Sequence, residues 1–130
     1  MSISDLFQRV GAPLANVRWS WGGVRKDGAV MLRVWQNETR RINGRTHIQI
    51  THHQAFVGKE GDLGYQERLA HIARIKAGAP CFMVMCEPRS AQEIPRSIKK
   101  FNERELFRAG DMVEEDGDYW VPLISREPIV

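Results

Sequence analysis

Long apolar runs are missing from this chain. No stretch approaches the roughly 18 to 20 consecutive apolar residues that cross a bilayer, and the opening MSISDLFQRV lacks the apolar core of a signal peptide. A cytoplasmic protein with no membrane partner is therefore expected. Cysteine is scarce, with only Cys81 and Cys86. They stand five positions apart in one apolar run, so on a strand they point to opposite faces, and their spacing fits no common zinc motif. Buried free thiols are expected. The chain also lacks G-x-S-x-G, a P-loop and G-x-G-x-x-G, which leaves acyl transfer, nucleotide hydrolysis and dinucleotide redox chemistry without a visible seat. His47, His52, His53 and His71 do not make up for this, because adjacent histidines on a strand diverge and no H-x-x-x-H is present. No cofactor and no metal are expected, and a non-catalytic role is favoured over an enzyme.

What is present fits one soluble domain, residues 1–130, long enough to bury a core and too short for two. The net charge of +3 is unevenly spread. Residues 1–60 carry nine Lys/Arg against four Asp/Glu, residues 61–110 nine against six, and residues 111–130 one against six. A basic body with an acidic end suits a polyanionic partner.

Local patterns give the elements. Ser2 and Asp5 before Leu6, Phe7 and Val10, with Gly11 after them, predict a short capped helix. VRWSW, AVMLRVW and THIQIT predict three antiparallel strands between Val17 and Thr51, separated by turns at Lys26-Asp27-Gly28 and Ile42-Asn43-Gly44. Tyr65, Leu69, Ile72 and Lys76 recur at helical spacing and Gly78 supplies a C-terminal cap. PCFMVMCE, Pro80 to Glu87, reads as a central strand buried on both faces. Asn102 with Glu105 could cap a short helical turn. Asp111–Glu115 and Tyr119–Ile124 around Asp116-Gly117 read as a closing hairpin. The expected fold is α+β, a mixed, mostly antiparallel sheet of about six strands or a small barrel, with two or three packed helices.

The helix that runs through Ile75–Gly78 (IKAG) into PCFMVMCE resembles the helix–turn–strand element of the PUA-like superfamily of small β-barrels, which includes ASCH and EVE domains. Trp19-Ser20-Trp21 is similar to the aromatic-bearing first strand of EVE-type members. The resemblance covers Arg18–Trp35 and Leu69–Glu87. It implies a pocket on a barrel that reads a nucleobase, often a modified or flipped one.

Turn length decides which side chains share a sheet face. A two-residue turn at Asp27-Gly28 puts Trp19 and Trp21 with Val30, Leu32 and Val34 on a core face, and Arg18, Ser20, Arg33 and Trp35 on the other. For the next hairpin, Asn43-Gly44 favours a two-residue turn, but burial favours three, which sets Ile48 and Ile50 with Val34. His47, Gln49 and Thr51 then join Trp35. An aromatic platform, two arginines and several hydrogen-bonding groups form a base-reading surface, so Trp35, Arg18, Ser20, Arg33, Gln49 and Thr51 are the candidate binding residues. The basic run Arg96, Lys99, Lys100 and Arg104, continuing to Arg108, is the candidate phosphate contact.

Three functional classes follow. The first is a nucleic-acid-binding module, for DNA or RNA, that recognises a modified or flipped base. The second is a small nuclease or nucleotide hydrolase using the His52-His53 region, with His53 as a base beside Glu67. The third is a protein-interaction or oligomerisation module on the exposed sheet.

Overall fold

A computed structural model describes residues 1–90, 92 and 97–129. The first helix, α1 (Ile3–Arg9), starts as its sequence predicts: the Ser2 hydroxyl accepts the Asp5 amide and the Asp5 carboxylate accepts the Ser2 amide. Leu6 and Phe7 from this helix are fully buried.

The expected first strand VRWSW does not form. Residues 17–19 are a turn. Asn16 Oδ1 accepts the Arg18 amide and the Ser20 hydroxyl accepts the Asn16 amide, so side chains take the place of ladder partners. The strand that follows, β1, is confined to Gly22–Val24. Its pairing with β2 (Val30–Trp35) sets Val24 opposite Val30 and Gly22 opposite Leu32. This is the three-residue loop, not the two-residue turn expected from Asp27-Gly28. Asp27 Oδ1 takes the Ala29 amide and Gly28, at φ +94°, closes on the Arg25 carbonyl, which lengthens the loop by one residue.

The meander itself is also revised. An additional strand, β3 (Thr39–Ile42), pairs with β4 (Arg45–Gln49) through a two-residue turn in which Asn43 (φ +51°) and Gly44 (φ +77°) are both left-handed. The dipeptide rule holds there, and the burial argument for three residues fails because β4's partner is not β2. Instead β2 runs parallel to β5 (Cys81–Pro88), with Val30 opposite Cys81 and Trp35 opposite Cys86.

The connection from β4 to β5 includes a 3-10 turn, His53–Phe56, and the main helix α2 (Leu63–Lys76), capped by Asp62 on the Tyr65 amide. The buried face of α2 is Tyr65, Arg68, His71 and Ile72. Leu69, which shares the helical spacing of Tyr65 and Ile72, is 36% exposed. Four strands follow β5. Asn102 caps a turn between β6 (Ile98–Phe101) and β7 (Glu105–Ala109), where a helical turn was expected. The closing hairpin at Asp116-Gly117 joins β8 (Val113–Glu115) to β9 (Asp118–Pro128).

Among the described residues nine strands form one sheet in the order β1-β2-β5-β7-β9-β4-β3, with β6 also on β5 and β8 also on β9. Every pairing except β2–β5 is antiparallel. The sheet is open, ending at β1 and β3, so the barrel alternative is not the form adopted. It curls until β2 and β4 approach across the core. Val30, Leu32, Val34, Met83, Ile48, Ile50 and Val121 fill the inner face against Ile72 of α2. Met31, Phe82, Val84, Cys86 and Leu106 fill the outer face under α1. Strand β5 is therefore buried on both sides, as its continuous apolar run predicts, and each large side chain removed from water there contributes about 1.5–3 kcal/mol. Cys81 and Cys86 are buried free thiols, one in each core, with burial pushing both up to about 12.

Candidate functional site

The curled sheet leaves a seam between β2 and the end of β4, and α2 lies across it. Arg68 projects into this seam, only 4% exposed. Its guanidinium donates to three main-chain carbonyls: Ile50 beyond β4 at 2.8 Å, Trp21 before β1 at 3.0 Å and Arg33 of β2 at 2.7 Å. A planar fork can bridge carbonyls from separate segments where strands cannot pair. Burial pulls Arg68 down to about 10, with the neighbouring Arg33 adding to the effect. Glu67, one position earlier, takes the Ser20 hydroxyl at 2.7 Å and the Trp21 amide at 2.8 Å. This contact draws the 16–21 segment onto the helix. Gly64 is required where it stands, since a Cβ there would lie 2.4 Å from the Trp21 ring. Beyond it Trp21, Phe56 and Tyr65 form an aromatic stack, with Phe56 and Tyr65 4.8 Å apart and nearly parallel.

On the other side of the sheet, Trp35 ends β2 and packs, half-buried, against the outer core. Two adjacent pairings, Trp35 with Cys86 and Cys86 with Phe101, set these residues in one row across β2, β5 and β6. Both flanking rings are half-buried and pack on the same cluster. The Arg33 guanidinium lies 6.0 Å from the Trp35 ring centroid. Burial pulls its pKa down, and Cys86 and Glu67 only partly oppose this. Among the described residues the Arg33 side chain has no salt bridge and no hydrogen-bond partner.

A second constellation surrounds Asp118, the first residue of β9. Its Oδ1 accepts the Thr51 hydroxyl at 2.8 Å and the His53 amide at 2.9 Å, and its Oδ2 accepts the Gln49 side-chain amide at 3.0 Å. His53 Nδ1 lies 2.9 Å from Oδ2, a close contact set off the line of a hydrogen bond. Gly117 presses on the His53 ring, where a Cβ would fall 2.9 Å from Cε1. Burial, with Asp118 and Glu60 nearby, raises the Tyr65 pKa. The expected partner of His53, Glu67, is occupied elsewhere by Ser20 and Trp21.

The six binding residues expected on one face are thus distributed. Trp35 and Arg33 remain together on the outer face of β2. Ser20 is buried on Glu67, Arg18 is exposed in the turn before β1, and Gln49 and Thr51 belong to the Asp118 cluster. Of the phosphate-contact residues, Lys99 and Lys100 are exposed on β6 near Glu87, at 3.7 and 3.4 Å, and Arg104 is exposed in the β6–β7 turn. Arg96 lies outside the described residues. Arg68, Glu67 and Asp118 were not anticipated as organising groups. One sequence signal existed for the first: Arg68 and His71 fall at helical spacing between Tyr65 and Ile72, which puts polar groups on the apolar stripe. Comparison of the chain with models of protein families, with curated proteins and with solved structures finds no match.

Proposed function

We propose that the protein is a nucleic-acid-binding module that holds a single unstacked base, modified or flipped, on Trp35. The observation that carries this reading is Arg33: a half-buried guanidinium beside an aromatic ring, with no salt bridge or side-chain hydrogen bond among the described residues and the Glu67 carboxylate acting on it only from a distance. Burying a cation is costly unless an anion or strong acceptor meets it. A nucleotide supplies both parts, a π face for Trp35 and a phosphate or base edge for Arg33. Phe101 extends the aromatic row, and Lys99, Lys100 and Arg104 border it with exposed cations that track a phosphate backbone. Trp35→Leu and Arg33→Gln are each expected to weaken binding of a labelled oligonucleotide at least tenfold while Arg18→Ala changes it less than twofold, at about one stacked base or one charged contact per substitution. Equal affinity of all three variants with the parent protein would refute the assignment.

A second reading has one observation in its favour. Asp118 Oδ1 accepts the His53 amide and Oδ2 lies 2.9 Å from Nδ1, so a small ring rotation on binding substrate would align that contact and leave Nε2 to accept a proton in hydrolysis of a phosphate ester. Turnover of a phosphodiester that His53→Ala abolishes would establish it.

A further inference from the structure

We propose that the β3–β4 ribbon is a second contact surface, which enters the major groove of B-form duplex DNA. The inference rests on the nucleic-acid reading above but uses different residues. Among the described residues strand β3 pairs only with β4, and β4 pairs with β9 only from His47 to Gln49. Beyond the His47–Pro122 pairing the ribbon parts from β9, which runs on along β7 to Pro128; from Arg41 through the Asn43-Gly44 tip to Thr46 it has no other strand partner among the described residues and is exposed apart from half-buried Ile42. Three residues of strand extend about 10 Å, and a major groove is about 8.5 Å deep and wide enough for a two-stranded ribbon.

Charge agrees with shape. From Thr39 to Lys59 the chain has no Asp or Glu, and its cations are Arg40, Arg41, Arg45 and Lys59. The register sets Ile42 opposite Arg45 and Arg41 opposite Thr46, so Arg41 and Arg45 lie on opposite faces of the ribbon. Cations on both faces serve a ribbon that has a phosphate wall on each side, whereas a ribbon lying flat on a surface would use only one. Arg40 has a different task. Its Nη1 holds Glu115 at 2.6 Å and Asp116 at 2.9 Å while its guanidinium stacks 4.4 Å from the Trp120 ring centroid. Three contacts at the base fix the ribbon's direction, which lowers the ordering cost of inserting it. Neither Arg41 nor Arg45 has a carboxylate partner among the described residues.

The test is the salt dependence of affinity for a B-form DNA duplex, measured by fluorescence anisotropy, for the parent protein and for Arg41→Ala/Arg45→Ala. Each phosphate contact contributes about 0.9 to the slope of log affinity against log salt, so the double variant should lower it by about 1.8 and weaken binding about 30-fold near 0.15 M salt. Arg41→Lys/Arg45→Lys should restore most of the slope, and Arg74→Ala, an exposed cation of α2, should leave it unchanged. Duplex RNA, whose major groove is too narrow for the ribbon, should show little difference between parent and double variant. An unchanged DNA slope in Arg41→Ala/Arg45→Ala, an equal drop on duplex RNA, or failure of the parent to bind duplex DNA would overturn the proposal. Failure of the base-binding reading has a different signature: Trp35→Leu would leave single-strand affinity intact whatever the ribbon variants do.

Discussion

Replacing Arg68 by methionine measures what the seam depends on. The substitution keeps roughly the volume and removes the fork that joins Ile50, Trp21 and Arg33. Hydrogen bonds from a charged donor contribute about 1.5–3 kcal/mol each, so the three represent about 4.5–9 kcal/mol. Against this stands the cost of burying the guanidinium. Its pKa falls from the usual 12.5 to about 10, which corresponds to about 3 kcal/mol that methionine would not carry. The net expectation is a loss of about 1–6 kcal/mol, centred near 3, with the Trp21 carbonyl least affected because it keeps the Arg33 amide. Arg68→Lys should be worse than Arg68→Met, since lysine retains the burial cost and cannot reach three separated carbonyls. Urea titrations followed by tryptophan fluorescence would give both values. A neutral Arg68→Met together with a well-tolerated Arg68→Lys would refute the clamp and leave Arg68 as a tolerated buried charge.

Two further outcomes follow from the same geometry. Asp118→Asn turns an acceptor of Thr51, Gln49 and His53 into a group that presents an NH2 to at least one of those donors, and should cost about 2–4 kcal/mol in urea unfolding; a loss below about 0.5 kcal/mol would remove Asp118 as the organiser of that cluster. His71 is buried, its Nδ1 lacks a partner among the described residues, and burial holds its pKa below the usual 6.5, with Arg68 and Arg74 lowering it further and Glu67 opposing them. The unfolded chain then binds a proton before the folded one does, so stability falls as pH drops from about 6.5 through the lowered folded value. His71→Leu should flatten that part of the stability profile, and an identical acid slope in variant and parent would exclude His71 as the source.

Features fixed by neighbours in the chain could be read from sequence. Ser2 and Asp5 cap α1, Asn43-Gly44 and Asp116-Gly117 make left-handed turns, and the apolar run of β5 becomes the doubly buried strand. Features fixed by distant partners could not. VRWSW alternates like a strand, yet Glu67, 46 positions after Trp21, holds it in a turn. The pairing of Asp118 with His53 spans 65 positions and leaves no local mark. Trp35 and Arg33 stayed together because period two along β2 does not depend on the partner strand. Gln49 and Thr51 did not join them, because β3, β9, β7 and β5 stand between β4 and β2 or beside them in the pairing order. Burial itself misled the second hairpin: Ile48 and Ile50 do share a core with Val34, but across the curl of the sheet and not along a hairpin.

Strand β9 carries a consequence for how the chain is made. Its first residues pair with β8 and β4, and its remainder, from Leu123 to Pro128, pairs with β7, so among the described residues it is the one strand that joins the two halves of the sheet. During synthesis from the N-terminus both halves wait for these late residues. Until they arrive, β4 and β7 each offer an open backbone edge to any extended segment in the cell, and closing the sheet means bringing together its most distant pairings. The period of greatest hazard is therefore the interval before β9 emerges, when the other described strands have been made and only the Arg68 fork, not a paired strand, joins the two halves.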